Sequence, residues 1–102
     1  MYVVVLCTAP PDLSREIARE LIVSGLAACV NITEVRSCYL WEGEVCDDEE
    51  HLLIIKTLES EFDALAAKIR ELHTYAVPEI IALPIAAGDP AYLDWMRQVT
   101  GR

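Results

Sequence analysis

Four cysteines are the side chains of this sequence with the clearest capacity for metal or redox chemistry. They show neither CxxC spacing nor the paired histidines of a structural zinc site. Cys7 and Cys29 lie in apolar stretches, where a free cysteine is usually a buried, inert thiol. Cys38 and Cys46 flank a glycine and could face each other across a hairpin, but a shift of one residue in register would separate them. A disulfide there is disfavoured in a cytosolic protein.

Of the two histidines, His73 has the setting more typical of a binding site. It ends a predicted helix and precedes Tyr75 and residues 77–79, which lie in a predicted loop. Binding and catalytic residues are often found in such loops between secondary-structure elements. A histidine at a helix end also interacts favourably with the helix dipole, which is a structural alternative. Lys56, Tyr75 and Glu79 could converge in one cleft, although a Lys–Glu ion pair would explain the two charges equally well.

The charge balance limits the classes of partner. With 17 acidic against 8 basic residues the formal net charge is −9, which repels nucleic acid and anionic membrane surfaces. Six acidic residues between positions 42 and 50 surround a predicted turn, where they could attract divalent ions or keep a strand edge soluble. No nucleophile–base pattern, phosphate loop or dinucleotide fingerprint is present. We therefore expect a binding protein without an organic cofactor, not an enzyme.

Length and composition predict one domain over residues 1–102, because 54% apolar residues are ample for a single core. No apolar run reaches the roughly 20 residues that a membrane-spanning helix needs. The N-terminal MYVVVLCTAPP reads as a first strand and lacks the features of a secretory signal. The cytoplasm is the expected compartment.

Hydrophobic periodicity predicts strand, helix, two strands, helix, strand and a short C-terminal helix. Asp12 is the expected N-cap of the first helix, with Leu13, Ile17, Leu21 and Ser24 on one face and Gly25 at its end. Ser60 with Asp63 resembles a capping box before the second helix, and Asp89-Pro90 begins the last one. Gly43 supplies the turn between two long strands, and His51 is expected at an edge or interface. The predicted elements are residues 2–8, 13–24, 28–41, 46–57, 62–73, 79–85 and 91–99.

This order predicts an α+β domain, a ferredoxin-like βαββαβ antiparallel sheet with both main helices on one face. The long hairpin overhangs the sheet, and its edges can pair with another chain. Three strands, at residues 3–6, 52–55 and 80–83, are apolar on both faces. Since a short C-terminal helix can shield only part of the second face, we expect a homo-oligomer.

Several segments together resemble the CutA family, which is associated with divalent-cation tolerance. They are VVVLCTAP, LAACVNI, YLWEGEV with EEHLLIIKT, HTYAVPEI and YLDW, in this order along nearly the whole chain. The resemblance implies a ferredoxin-like subunit in a tight homotrimer whose hairpins pair across subunits. It also implies copper and other divalent metals as ligands.

By position, the family's copper-binding cysteine corresponds to Cys7 and its histidine to His73, with Cys29 a second thiolate candidate. Some relatives have two adjacent histidines where this chain has Leu72-His73. Thiolate and imidazole ligands suit copper and zinc better than calcium. A thiol buried in a strand would have to become exposed or deprotonated to bind.

Two functional hypotheses follow. The first is a trimeric, cytoplasmic metal-binding protein of divalent-cation and copper tolerance, with Cys7, His73 and Cys29 as ligands. The alternative is a PII-like trimeric signalling module. It would bind a small ligand in clefts between subunits, near Trp41, Lys56, Tyr75 and Glu79.

Overall fold

A computed structural model describes residues 1–101 of the chain. These residues form four strands and three α-helices in the predicted order, with a 3-10 turn at Glu59–Glu61 before the second helix. The elements are β1 Tyr2–Ala9, α1 Ser14–Val23, β2 Cys29–Trp41, β3 Glu44–Leu58, α2 Phe62–Leu72, β4 Ile81–Pro84 and α3 Pro90–Val99. Strand β4 is shorter than the predicted residues 79–85, because its pairing with β1 covers four residues only.

The strand order within the described residues is β2-β3-β1-β4, and each neighbouring pair is antiparallel. This is the ferredoxin-like arrangement, so the predicted fold class is confirmed. Along β1, alternate side chains from Val3 to Ala9 are buried. They pack with Ile17 and Leu21 of α1 and with Leu65 of α2, so the core lies between the sheet and these helices.

The opposite face of the sheet is also apolar. On it, Val4 and Leu6 of β1 pair with Leu83 and Ile81 of β4, whose side chains are 45% and 51% exposed. Helix α3 packs against one end of the sheet, where the Arg97 guanidinium lies 5.2 Å from the ring centre of Tyr2. The helix therefore leaves apolar surface uncovered in the single subunit.

Helix α1 begins differently from the prediction. Its N-cap is Leu13, which makes no side-chain capping bond, so the Asp12 prediction is wrong. The physical reason is the preceding turn: the Pro10 carbonyl accepts the backbone N–H groups of Leu13 and Ser14 at 3.0 and 3.2 Å. Ser24, which was predicted on the face of Ile17 and Leu21, is exposed, whereas Ser14 is fully buried.

The end of α1 follows the prediction. Gly25 has φ +75°, and its N–H donates to the Ile22 carbonyl while the N–H of Leu26 donates to the Leu21 carbonyl. This pair of bonds is a Schellman motif, which needs a left-handed residue after the helix. The predicted start of α3 is also confirmed, since Asp89 accepts from the N–H of Tyr92.

The predicted capping box of α2 is wrong. The N-cap is Glu61, without a side-chain capping bond. The 3-10 turn occupies Glu59–Glu61, and this turn places Ser60 inside a helical segment rather than at its boundary.

The β2–β3 hairpin is long, as predicted. Glu42 and Gly43 form its two-residue turn with φ of +50° and +80°, the left-handed pair that a type I′ turn requires. Strand β3 pairs with β1 only from His51 onward, so residues 44–50 pair with β2 alone and overhang the sheet. Most of the acidic run therefore lies in a strand, not in the turn. His51 was predicted at an edge or an interface, and it pairs with strands on both sides, so it does not lie at an edge of this sheet.

The register also separates the hairpin cysteines. Cys38 lies opposite Asp47, and Cys46 lies opposite Tyr39, so the two thiols project from opposite faces of the hairpin. Residues 1–101 include every cysteine of the chain, and all four are free.

We predict that Gly25→Ala lowers the free energy of unfolding by about 1 to 2 kcal/mol, because an L-residue is disfavoured at positive φ. Chemical denaturation at one fixed protein concentration measures the change. Val23→Ala is the matched control, since Val23 is exposed in the last turn of the same helix. An equal loss in both variants would contradict the role given to Gly25.

Candidate functional site

A cleft of about 640 Å³ opens where the hairpin leaves the sheet. The end of β1, both arms of the hairpin and the loop after α2 line it. We call it the acidic cleft. The lining residues that matter for its chemistry are Tyr39, Trp41, Glu42, Glu50, Tyr75 and Glu79.

The hairpin register brings side chains from both arms to this cleft. Val35 pairs with Glu50, and further along the same face Tyr39 lies opposite Cys46 and Trp41 opposite Glu44. Because alternate residues of a strand share a face, Tyr39, Trp41 and Glu50 project to the same side of the hairpin. That side continues the sheet face opposite α1 and α2.

Glu50 is the most buried carboxylate of the cleft, with 4% of its surface exposed. Its Oε2 accepts a hydrogen bond of 2.6 Å from the Tyr75 hydroxyl. The ion pairs formed within residues 1–101 do not include Glu50. Burial, the hydrogen bond and the charge of Glu50 raise the pKa of Tyr75, so this phenol stays protonated and donates. Within residues 1–101, the buried carboxylate is therefore met by a neutral hydroxyl and not by an ion-pairing cation.

A second phenol–carboxylate contact lies further out on the hairpin. The Tyr39 hydroxyl donates to Asp48 Oδ2 at 2.5 Å. The hydrogen bond from Tyr39 to Asp48 is the main reason that the pKa of Tyr39 rises to about 12. Both tyrosines are therefore neutral donors at physiological pH, and the cleft keeps its negative charge on the carboxylates.

His73 is held by two hydrogen bonds. Its Nδ1 accepts the backbone N–H of Tyr75 at 3.1 Å, so Nε2 carries the proton and donates to the Thr8 carbonyl at 2.8 Å. The His73 and Tyr75 rings also lie 4.5 Å apart between centres. His73 therefore ties the loop that carries Tyr75 to the end of β1, and neither ring nitrogen is free to bind a metal in this arrangement.

Cys7 is fully buried on the helix side of the sheet. Burial first, and then the charges of Glu79 and Glu50, raise the pKa of this thiol from 9.0 to about 12. The thiolate is the metal-binding form, so the site disfavours a metal at Cys7.

Cys29 lies on the opposite face of the sheet from Cys7, because it pairs with Lys56 whereas Cys7 pairs with Leu53. Its thiol donates to Asn31 Oδ1, and it lies close enough to Tyr92 to help burial raise the pKa of that phenol. The structure thus does not bring the three predicted metal ligands together. In the part of the chain that is described, no group of three or more His, Cys, Asp or Glu side chains could hold a metal ion.

Three of the four residues predicted at a ligand cleft, Trp41, Tyr75 and Glu79, line the acidic cleft. Lys56 does not: it pairs with Val4 and Cys29, donates to Asn31 Oδ1, and lies six positions from Glu50, or about 20 Å along β3.

Glu50 was predicted only as one of the six acidic residues between positions 42 and 50, and Tyr39 was not predicted at a site. Glu50, Leu52 and Ile54 are two residues apart, so in a strand they share one face, and Glu50 puts a carboxylate on an otherwise apolar face. This pattern is the sequence signal that could have indicated Glu50.

One serine–histidine contact occurs away from the cleft. Ser14 Oγ lies 2.7 Å from His51 Nδ1. Since Ser14 is fully buried at the start of α1, this contact anchors the helix to the sheet and does not present a nucleophile to solvent.

Comparisons with known proteins decide the family. The sequence profile of the CutA1 divalent ion tolerance proteins matches residues 3–99. The chain belongs to the CutA1 family. One curated member, the divalent-cation tolerance protein CutA of Thermus thermophilus, is 50% identical over 99% of this chain and 100% of its own length. The mouse protein CutA is 46% identical over 91% of this chain and 54% of its own length, so the chain spans about half of that relative.

Solved structures agree with the CutA1 assignment. The divalent cation tolerance protein of T. thermophilus superimposes with a TM-score of 0.95, covering 99% of this chain and all of its own at 50% identity. A structure described as the PII-like protein CutA from Nostoc sp. PCC 7120 in apo form gives 0.92 at 34% identity, covering 96% of both chains. In residues 1–101 of this CutA1 chain, no helix is both long and apolar enough to cross a membrane.

We predict that Tyr75→Phe lowers the free energy of unfolding by about 1 to 3 kcal/mol, because it removes the hydroxyl that donates to the buried Glu50. Tyr39→Phe is the matched control. It removes the same kind of bond to the exposed Asp48, where water replaces the lost donor, and we expect a clearly smaller change. Chemical denaturation of both variants measures the difference. Equal effects would show that Glu50 does not depend on Tyr75.

We predict that Cys7 resists alkylation by iodoacetamide at pH 8 in the folded protein, by at least about 100-fold relative to the unfolded chain, because a thiol with a pKa near 12 holds little thiolate. Peptide mass spectrometry after timed labelling measures the rate for each cysteine, with urea-unfolded protein as the control.

The same pKa shift sets a pH dependence. Cys7 in the unfolded chain loses its proton near pH 9.0, whereas folded Cys7 keeps it to about pH 12. The contribution of Cys7 to stability is thus complete below pH 9 and is lost as the pH rises toward 12. The Cys7→Ser variant should therefore lose less free energy of unfolding than the unchanged protein as the pH rises from 9 toward 12. In the alkylation experiment described above, rapid labelling of Cys7 in the folded protein at pH 8 would contradict its burial.

Proposed function

We propose that this protein is a homotrimeric cation-binding protein of divalent-cation tolerance, with the acidic cleft as the place where the cation binds. Copper is the divalent metal that the family resemblance favours. Membership of the CutA1 family and the name of the T. thermophilus relative support the role in tolerance. We propose binding rather than catalysis as its activity.

The observation that carries this proposal is the buried carboxylate of Glu50. A buried charge is costly unless an opposite charge or several hydrogen bonds compensate it. Tyr75 supplies one neutral donor, and the cleft lining also includes the carboxylates of Glu42 and Glu79 but no Lys, Arg or His among the described residues. A cation in the cleft would offset this charge, and the net charge of −9 would favour its approach.

Copper binding through Cys7 and His73 remains a narrower proposal. It requires a buried thiol to lose its proton and His73 to give up one of two hydrogen bonds. Cys29 is more accessible, but it lies on the other face of the sheet and would bind a metal without Cys7. These requirements favour the carboxylates of the cleft as the first contact for a divalent ion.

The homotrimer is supported by surface that the single subunit leaves uncovered. Strand β2 is an edge strand of 13 residues, with backbone groups that can pair with another chain. Large apolar side chains are exposed at the hairpin and at β4, namely Leu40, Val45, Ile81 and Leu83. Association of copies would bury them.

A second candidate is a PII-like signalling module that binds a small ligand between subunits. The volume of the cleft favours it, because 640 Å³ lies in the range of small-molecule sites and greatly exceeds the space of one ion. The likeness to the PII-like protein from Nostoc supports it too. In this arrangement Lys56 would have to reach a cleft from a neighbouring subunit.

We predict that Glu50→Gln weakens Cu(II) binding at least about tenfold, because it removes the buried charge that attracts the ion. Calorimetric titration of the reduced protein measures the affinity, and light scattering measures the mass, which we expect to be that of a trimer. Glu16→Gln, on the exposed side of α1, is the control for net charge.

Cys7→Ser and Cys29→Ser test the thiol sites in the same titration. We expect both to retain Cu(II) affinity. Loss of binding in either serine variant, together with unchanged binding in Glu50→Gln, would move the site from the cleft to the thiols. Absence of any Cu(II) binding would overturn the metal part of the proposal.

A further inference from the structure

We propose that Lys56 of a neighbouring subunit forms an ion pair with the buried carboxylate of Glu50 in the homotrimer. The inference rests on the homotrimer of the proposed function, and it adds the residue that a second copy contributes to the acidic cleft. A divalent ion that reaches Glu50 would have to displace the Lys56 ammonium. Subunit association and cation binding are therefore linked through one carboxylate.

The open face of the sheet, opposite α1 and α2, carries its charges at two separate ends. Glu44, Asp48 and Glu50 project to this face from β3 at the hairpin end, because alternate residues of a strand share a face. Lys56 projects to the same face at the other end of β3, where it pairs with β1 and β2. The face is therefore acidic at one end and basic at the other, with apolar side chains between them.

Glu50 is the carboxylate that most needs a counter-ion. Its surface is 4% exposed, Tyr75 donates one neutral hydrogen bond to it, and the ion pairs within residues 1–101 do not include it. A buried charge without an opposite charge is costly. Covering the open face with another copy would take the remaining water away from Glu50 and raise this cost. Association therefore favours a neighbour that brings a base to Glu50.

Lys56 is a base without an acidic partner among the described residues of its own subunit. Its ammonium donates to the neutral amide oxygen Asn31 Oδ1, and the ion pairs within residues 1–101 do not include it. Lys56 and Glu50 lie about 20 Å apart along β3, so they cannot meet within one subunit. A second copy can bring the Lys56 end of its sheet to the acidic end of the first.

The other basic residues at positions 1–101 fit this contact less well. The bases of α1 and α2 lie on the opposite side of the sheet, namely Arg15, Arg19, Lys68 and Arg70. Arg36 projects to the helix side of the hairpin, where two carboxylates already pair with it. Arg97 of α3 lies over the ring of Tyr2. In this part of the chain, Lys56 is the strand base that projects to the open face.

A closed ring of subunits can use both ends of the face. In a rotational trimer each subunit contacts its two neighbours through unlike patches. The acidic end of one subunit can then meet the Lys56 end of the next at every interface. Complementary charges of this kind fix the register of association and disfavour wrong alignments. We therefore expect the pair to select one alignment of the subunits.

Charge reversal tests the contact through the mass of the assembly. Lys56→Glu places like charges together at each interface, so the mass measured by light scattering should fall toward that of one subunit. Adding Glu50→Lys restores opposite charges, and the double variant should recover the trimer. Glu16→Lys and Arg70→Glu reverse exposed charges on the helices and should leave the mass unchanged.

A second set of variants keeps the test valid if Glu50→Lys does not fold. Glu50→Gln removes the charge but keeps an acceptor for the Tyr75 hydroxyl. We expect it to lower the denaturant midpoint of unfolding when Lys56 is present. In a Lys56→Gln background it should raise the midpoint, because it removes a buried charge that has lost its partner. Substitutions about 20 Å apart that do not meet would act independently, so equal effects are expected without the pair.

The outcomes separate this inference from the proposed function. Recovery of the trimer by the double reversal, or opposite effects of Glu50→Gln in the two backgrounds, supports the pair. Equal effects in the two backgrounds, without recovery by the double reversal, overturn the pair and leave the homotrimer standing. An unchanged protein with the mass of one subunit overturns both. The Cu(II) affinity does not enter this test, so failure of the metal part of the proposal leaves the pair standing.

Discussion

The pairing register of the β2–β3 hairpin is the constraint on which the rest of this structure depends. The Glu42-Gly43 turn, with positive φ at both residues, sets the pair Trp41 and Glu44, and every later pair follows from it. A slip of one residue would turn Glu50 toward the helices and separate it from Tyr39 and Trp41. The acidic cleft therefore exists because a two-residue turn places one carboxylate on the face that the helices leave open.

The second half of the cleft depends on the loop after α2. His73 holds that loop to the end of β1 through the Thr8 carbonyl, and the same imidazole accepts the N–H of Tyr75. Tyr75 then reaches Glu50. His73, which the family resemblance implies as a metal ligand, thus has a structural role in this subunit. It positions the Tyr75 phenol that donates a hydrogen bond to the buried Glu50. Family membership and the role of each residue are separate questions, and local geometry answers the second.

The sequence predicted the fold well because its strongest signals were local. Apolar periodicity located the elements, Gly25 and Gly43 marked a helix end and a turn through positive φ, and Asp89-Pro90 marked a helix start. The failures came from tertiary context. Asp12 looked like a cap, but the Pro10 carbonyl had already satisfied the first N–H groups of α1. Glu50 could not be told apart from its neighbours in the acidic run, since its hydrogen-bond partner Tyr75 lies 25 positions away in the sequence.

We propose the acidic cleft as the cation site. A crystal structure of the protein soaked with Cu(II), with data collected at the copper absorption edge, tests this placement most directly. We expect an anomalous peak beside the carboxylates of Glu50 and Glu79. A peak at Cys7 and His73, with none in the cleft, would contradict this placement and show that the thiolate of Cys7 and the imidazole of His73 bind the metal.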